Sequence, residues 1–231
     1  MHNYETQNNL EFHISIIMSQ NFDNTLRDWS YSLTNAEKRE LELFIVRGLL
    51  ALRHVAIEHD FLRAALDYWS PETHCFKFDY DDICPLLEEF GAIFGFPARN
   101  LIAMPTLREY YYQDFERHLN LTDPDLNGIV CGNEVDLEKL ANLYFNLPIS
   151  ESYHVYRRRA YIFCMFSKLL FANGRVGHAC LASVLEHVEY GRSPMPTCLG
   201  ETFRGLDEAK SDRKAIRKGS LVLLQVKIRS E

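Results

Sequence analysis

Glycine and proline are scarce in this chain, at 11 and 8 of 231 residues, and no stretch is of low complexity. That excludes a collagen-like or linker-dominated protein and confines expected disorder to the ends. Long apolar runs are missing too. The most apolar stretch, Ala160 to Ala172, is broken by Ser167 and Lys168 and falls short of the roughly 20 residues a spanning helix needs. Ile14 to Met18, beside a polar N-terminus, is too short for a secretory core. The chain therefore reads as soluble and intracellular, in nucleus or cytoplasm, with no membrane contact. Positive charge is also in deficit: 32 acids against 25 Lys and Arg give −7, so the whole molecule repels a phosphate backbone. The six cysteines, at 75, 84, 131, 164, 180 and 198, show no short paired spacing of the metal or redox kind. They are expected to be reduced thiols, several of them in the core.

Catalytic signatures are equally absent. The nine histidines include no His-Glu-x-x-His, and there is no Gly-x-Ser-x-Gly elbow, phosphate loop or dinucleotide fingerprint. His74-Cys75 and His178 to Cys180 are sequence neighbours, an arrangement that seldom makes a catalytic dyad. The expectation is a protein that is not an enzyme and uses no cofactor.

What is present is material for a packed body: 47% hydrophobic residues, with 15 Phe, 12 Tyr and 2 Trp. Thr34-Asn35-Ala36-Glu37 has the form of a capping box, so a helix starts there, and Leu41, Phe44, Ile45, Leu49, Leu52 and Val55 continue its apolar face. A break near His59 precedes a helix that Pro71 ends at Trp69. Phe76 and Phe78 alternate with polar neighbours, which suits a short half-buried strand. Pro85 suits the first turn of a helix that exits at Gly95 and Pro97. Further helices are expected at 106–119, 136–145, 151–172, 176–190, 195–209 and about 212–226, with 151–172 apolar nearly all round and therefore central. Trp69, Phe76, Phe78, Leu87, Phe90 and Phe94 should form one cluster. The fold expected is mainly α: an irregular single-domain helical bundle over residues 34–231, with at most a short β-hairpin or extended piece near 75–80. Residues 1–33 are expected to be a poorly ordered extension.

The segment from Phe61 to Pro97, with its helix ending at Trp69-Ser70-Pro71, its Phe76-Lys77-Phe78 alternation and its Pro85 helix, resembles the plant mobile domain and a closely related uncharacterised plant domain family. Gly177-His178 and Arg192-Ser193-Pro194-Met195-Pro196, followed by Leu199-Gly200-Glu201-Thr202-Phe203-Arg204-Gly205-Leu206, extend the likeness to about residues 45–225. It is most specific at 69–97 and 174–206. Many members are transposon-associated, so the resemblance implies a transposon-related plant domain that acts as a protein-interaction module with unidentified protein partners. It brings no catalytic residues. The aminotransferase-like label sometimes given to such domains requires a Schiff-base lysine and a phosphate cradle, and no such constellation is found. The family's tryptophan-containing last segment is replaced here by 225–231, which reads as a truncated or divergent end that would expose apolar surface and favour self-association.

Two alternatives come from local patterns. Asp123-Pro124-Asp125-Leu126-Asn127-Gly128, five residues, then Glu134 fits a calcium loop, in which Asp123, Asp125, Asn127, the Ile129 carbonyl and Glu134 would supply the oxygens. Pro124 and Cys131 argue against it, and a helix-to-helix turn capped by Asn133 or Asp136 accounts for the same residues. From Arg204 onward, eight basic residues face four acids, leaving +4 there and −11 on the rest. Lys210, Arg213, Lys214, Arg217 and Lys218 would carry any local nucleic-acid contact, against the alternative of a solvated helix face. The acidic run Asp79, Asp81, Asp82, Glu88 and Glu89 suits a helix start. The Tyr110–Tyr112 and Arg157–Arg159 runs should divide between core and solvent.

Overall fold

Thr34 follows the end of one helix and opens the next. In the structure, a computed structural model that describes residues 24–43, 55–95, 102–147, 153–170, 175–212 and 218–230, helix α1 spans 24–32 and α2 spans Asn35–Leu43. The capping box forms as expected: the Thr34 amide donates to Glu37 Oε2 at 2.8 Å and the Glu37 amide donates to Thr34 Oγ1 at 3.1 Å. Leu26, Trp29 and Leu33 are buried, so the expected disordered extension is corrected over 24–33, where one helical face enters the core. The apolar face expected beyond Leu43 falls largely on residues outside the described ones.

Helix α3, His59–Leu66, starts at the expected break and buries Leu62, Ala65 and Leu66. The chain then turns into a small antiparallel sheet: β1 (Trp69–Ser70), β2 (Cys75–Lys77) and β3 (Asp82–Ile83), with Trp69 opposite Phe76 and Phe76 opposite Ile83. This sheet corrects the cysteine expectation, because it brings Cys75 and Cys84 together as a disulfide with Cα atoms 4.3 Å apart. Nine residues of separation hid a pairing that only the hairpin creates. Helix α4, Leu87–Phe94, ends at Gly95, whose φ of 74° is the left-handed cap expected there.

After an extended stretch come α5 (Tyr112–Leu119), the four-residue α6 (Asp123–Leu126) and a second antiparallel sheet. Its strands β4 (Val130–Cys131), β5 (Glu134–Asp136) and β6 (Val176–His178) stand in that order, with Glu134 opposite His178. Asp136 then caps α7, Leu137–Phe145, by accepting the Lys139 amide at 3.1 Å. The expected helix over 176–190 is shortened to a strand, a 3₁₀ turn at Ala179–Leu181 and α9, Ala182–Glu189. Gly177 explains the strand: a Cβ there would lie 2.7 Å from Ser167 Oγ, so this backbone packs closer than any side chain permits.

Helix α8, His154–Met165, is the central helix the sequence suggests, and it continues as a π-helical turn, Phe166–Leu170. Helix α10 runs Met195–Asp212 and α11 runs Leu221–Ser230. The single helix expected at 212–226 is not formed, because a turn at Gly219, with φ of 81°, separates the two. The mainly α architecture holds, with more strand than two alternating phenylalanines could signal.

The apolar interior falls into two clusters. The larger surrounds α8 and includes Trp29, Phe90, Phe94, Phe115, Tyr144, Phe163 and Leu223. The smaller joins Leu62, Trp69, Phe76, Leu206 and Leu224, with Phe78 and Phe203 packed against it. The one aromatic cluster expected from Trp69 to Phe94 is thus divided: the sheet side chains face α10, while Leu87, Phe90 and Phe94 face the larger core.

Candidate interaction surface

Three consecutive arginines on the central helix fix the frame that carries the surface. Arg157, 1% exposed, donates from Nε to Glu37 Oε1 at 3.2 Å. It also donates to the carbonyls of Tyr144 (2.6 Å), Phe145 (3.3 Å) and Leu147 (3.1 Å), closing the C-terminal end of α7. Its guanidinium lies 5.9 Å from the Trp29 ring centroid. Arg158 bridges Glu40 and Glu189, and Arg159 grips Glu189 with two bonds of 2.7 and 2.6 Å. Burial pushes the Glu189 carboxyl up, but the bonds and charge of Arg159 and Arg158 outweigh it and hold the group below the usual carboxylate range. The expected division of this run between core and solvent is corrected: all three arginines are matched by carboxylates, because charge at this depth needs a partner.

The frame presents residues 102–111 as an extended strap ahead of α5, where the sequence suggested a helix from Thr106. Pro105 precedes Thr106, and the backbone bonds of the strap go to its neighbours instead of to a helical turn. The Ala103 amide donates to the Ser193 carbonyl at 2.8 Å, and Thr197 Oγ1 donates to the Ala103 carbonyl at 3.4 Å. The Thr106 amide donates to Ser183 Oγ at 2.9 Å and the Arg108 amide to the Tyr111 hydroxyl at 3.1 Å. Ala103 and Tyr111 face inward, Tyr111 edge-on to His178. Outward stand Ile102, Met104, Leu107, Tyr110 and Tyr112, with Leu107 81% and Tyr110 68% exposed. Tyr110 and Tyr112 stack with centroids 6.5 Å apart beside a recess of about 100 Å³ closed by Phe115, Val130 and Gly132.

Behind the strap, α5 buries Asp114 and His118. Arg108 meets Asp114 at 3.4 Å, and His118 Nε2 lies 3.7 Å from Glu186. Burial first, then the Arg159 charge, lowers the His118 pKa, against opposing contributions from Glu186 and Asp114. The strap itself offers apolar and phenolic surface, a chemistry suited to burial against another molecule.

The residues singled out for calcium do not converge. Asp125 accepts from the Thr122 amide and hydroxyl at 3.1 and 2.8 Å, capping α6, so the first turn of the expected loop is helical. Asn127 ends that helix, and Lys139 Nζ occupies the Gly128 carbonyl at 2.8 Å. The Ile129 carbonyl accepts the Asp136 amide at 2.8 Å, and Glu134 stands on β5. Asp123 opens α6, and among the described residues no three His, Cys, Asp or Glu side chains are grouped as metal ligands. Of the basic residues proposed for nucleic acid, Lys210 donates to the Leu66 and Asp67 carbonyls at 3.1 and 2.7 Å, and Lys218 pairs with Glu208 at 2.7 Å. Arg213, Lys214 and Arg217 lie outside the described residues. The Tyr and Arg runs do not share a surface, since Tyr111 and the arginines are turned inward.

Sequence reasoning missed the strap and the arginine centre. Pro105 was the available signal for the first, set against the three-residue steps from Met104 through Leu107 to Tyr110, which suit a helix. Three arginines on an otherwise apolar helix were the signal for the second.

Among the described residues no helix is long and apolar enough to cross a membrane. No curated protein and no solved structure matches the chain. Residues 26–170 match a family from α1 to the end of the π-helical turn, taking in the strap and the 69–97 block, and the chain belongs to that family, the domain of unknown function DUF7745.

Proposed function

We propose that the chain is a non-enzymatic protein-interaction module of a nuclear or cytoplasmic assembly that binds its partner through the strap at 102–111 and the adjoining Tyr112. The observation that carries this reading is a row of outward apolar side chains on backbone that Ser193, Ser183 and Thr197 hold in place. Exposed contiguous apolar surface marks interaction sites, and aromatic residues beside a recess are typical anchors. The 69–97 block and its likeness to the plant mobile domain support a transposon-related plant origin.

The test pairs Leu107→Glu with Tyr110→Ser. Exposed changes of this kind alter stability by about 0.5 kcal/mol or less, whereas an interface anchor contributes about 2 kcal/mol, roughly a 30-fold change in affinity. The variant should melt with the wild type and lose partners recovered by the wild type from plant nuclear or cytosolic extract. Sedimentation velocity identifies a second copy as the partner if the wild type alone self-associates. An unchanged set of recovered proteins in the variant, or a wild type that is monomeric and recovered alone, overturns the reading.

A further inference from the structure

The six cysteines fall into chemically distinct groups. Burial pushes the Cys164 and Cys198 thiols far above their ordinary range and the Cys180 thiol up to about 11, so these three stay protonated and unreactive. Cys131 is exposed and free. Cys75 and Cys84 are joined, closing a loop whose tip, Tyr80, is 96% exposed. Cys75 is buried at the start of β2, while Cys84 is half-buried and leads through Pro85 into α4.

The hairpin does not depend on that bond for its position. The Lys77 amide donates to the Tyr68 carbonyl at 2.8 Å and the Phe78 amide to the Asp81 carbonyl at 3.0 Å. Trp69 Nε1 donates to Asp207 at 2.8 Å, and its ring packs on Phe76 and Phe203 with centroids 4.9 and 5.7 Å apart. These contacts hold the β1 and β2 arms in addition to the disulfide, and Cys84 is the more exposed of the two cysteines.

We propose that Cys75 and Cys84 are a reversible redox-modification site, exchanged by a small thiol–disulfide couple of the glutathione class, that locks or frees the 75–84 loop while the larger core stays folded. In reduction, a glutathione thiolate attacks Cys84 Sγ, the Cys75–Cys84 bond breaks, and Cys75 leaves as a thiolate that takes a proton from water. A second glutathione thiolate attacks the glutathione sulfur of the mixed disulfide, releasing oxidised glutathione and the Cys84 thiolate, which is protonated in turn. Two glutathione molecules are oxidised and one protein disulfide is reduced. Oxidation reverses these steps. The free loop then changes how Tyr80 and the start of α4 are presented.

The experiment equilibrates the intact protein with reduced and oxidised glutathione in varied ratio, reads each cysteine by differential alkylation and mass spectrometry, and follows amide hydrogen exchange in the two end states. Cys75 and Cys84 should convert together, with Cys164, Cys180 and Cys198 free throughout. In the reduced form the amides of Asp82 and Ile83, on the β3 arm that Cys84 ties to Cys75, should exchange at least tenfold faster, while those of Lys77, α7 and α8 keep their protection. Cys84→Ser in the wild-type fold should reproduce the reduced pattern at every ratio. The proposal is overturned if the pair stays reduced in oxidised glutathione or stays bonded in millimolar reduced glutathione. It is equally overturned if both forms exchange alike, or if reduction strips protection from α7 and α8.

Discussion

Glu37 does two jobs with one side chain: it completes the cap of α2 and neutralises Arg157 in the interior. Glu37→Gln keeps the shape and removes the charge, leaving a guanidinium that is 1% exposed without its carboxylate. Breaking a buried pair in this way costs about 3–5 kcal/mol. Three carbonyls still accept from Arg157, so the low end of that range is expected in urea denaturation. A loss under about 1 kcal/mol would mean that the carbonyls alone satisfy the guanidinium. The cap was legible in four consecutive letters. The ion pair was not, because its partners stand 120 residues apart and nothing local to either names the other.

Among elements, α5 carries the clearest pH dependence. Burial lowers the His118 pKa from 6.5, with Arg159 of α8 and Arg117 of α5 acting in the same direction and Glu186 of α9 and Asp114 of α5 opposing them. Between the folded and unfolded values the unfolded chain holds the extra proton. Stability from this group is therefore complete above the unfolded value, declines as pH falls below it and levels off once the folded value is passed. Denaturant midpoints measured from pH 8 to pH 5 should fall in the wild type below about 6.5, and less so in His118→Asn. Equal slopes would show that His118 is not the group responsible. Elements whose ends have local chemistry were readable from sequence: Thr34, Gly95 and Asp136 each mark a boundary the structure keeps. Elements defined by distant partners were not. The strap takes its extended form from Ser193 and Ser183, and β6 exists because Val176 meets Asp136 across the chain. The Trp69-to-Phe94 block showed which residues are apolar, but it could not show that the turn after β3 sends them into different cores.

For the whole molecule, the arginine centre has a consequence for separability. The part that matches the family ends at residue 170, yet Glu189, which holds Arg158 and Arg159, lies beyond it on α9. Val184, Leu185, Val188, Met195, Cys198, Val222 and Leu223 complete the same apolar interior from outside that boundary. A fragment of residues 26–170 would bare a broad apolar face and leave two guanidiniums without a common counter-ion. Expressed alone, it should show helical far-ultraviolet dichroism without a cooperative thermal transition, and it should bind a hydrophobic dye. A sharp two-state melt would show that it is autonomous. Without such a melt, the stretch that carries the family's pattern and the unit that folds are different lengths of chain, and the segment after residue 170 supplies the apolar face and the carboxylate on which the earlier part closes.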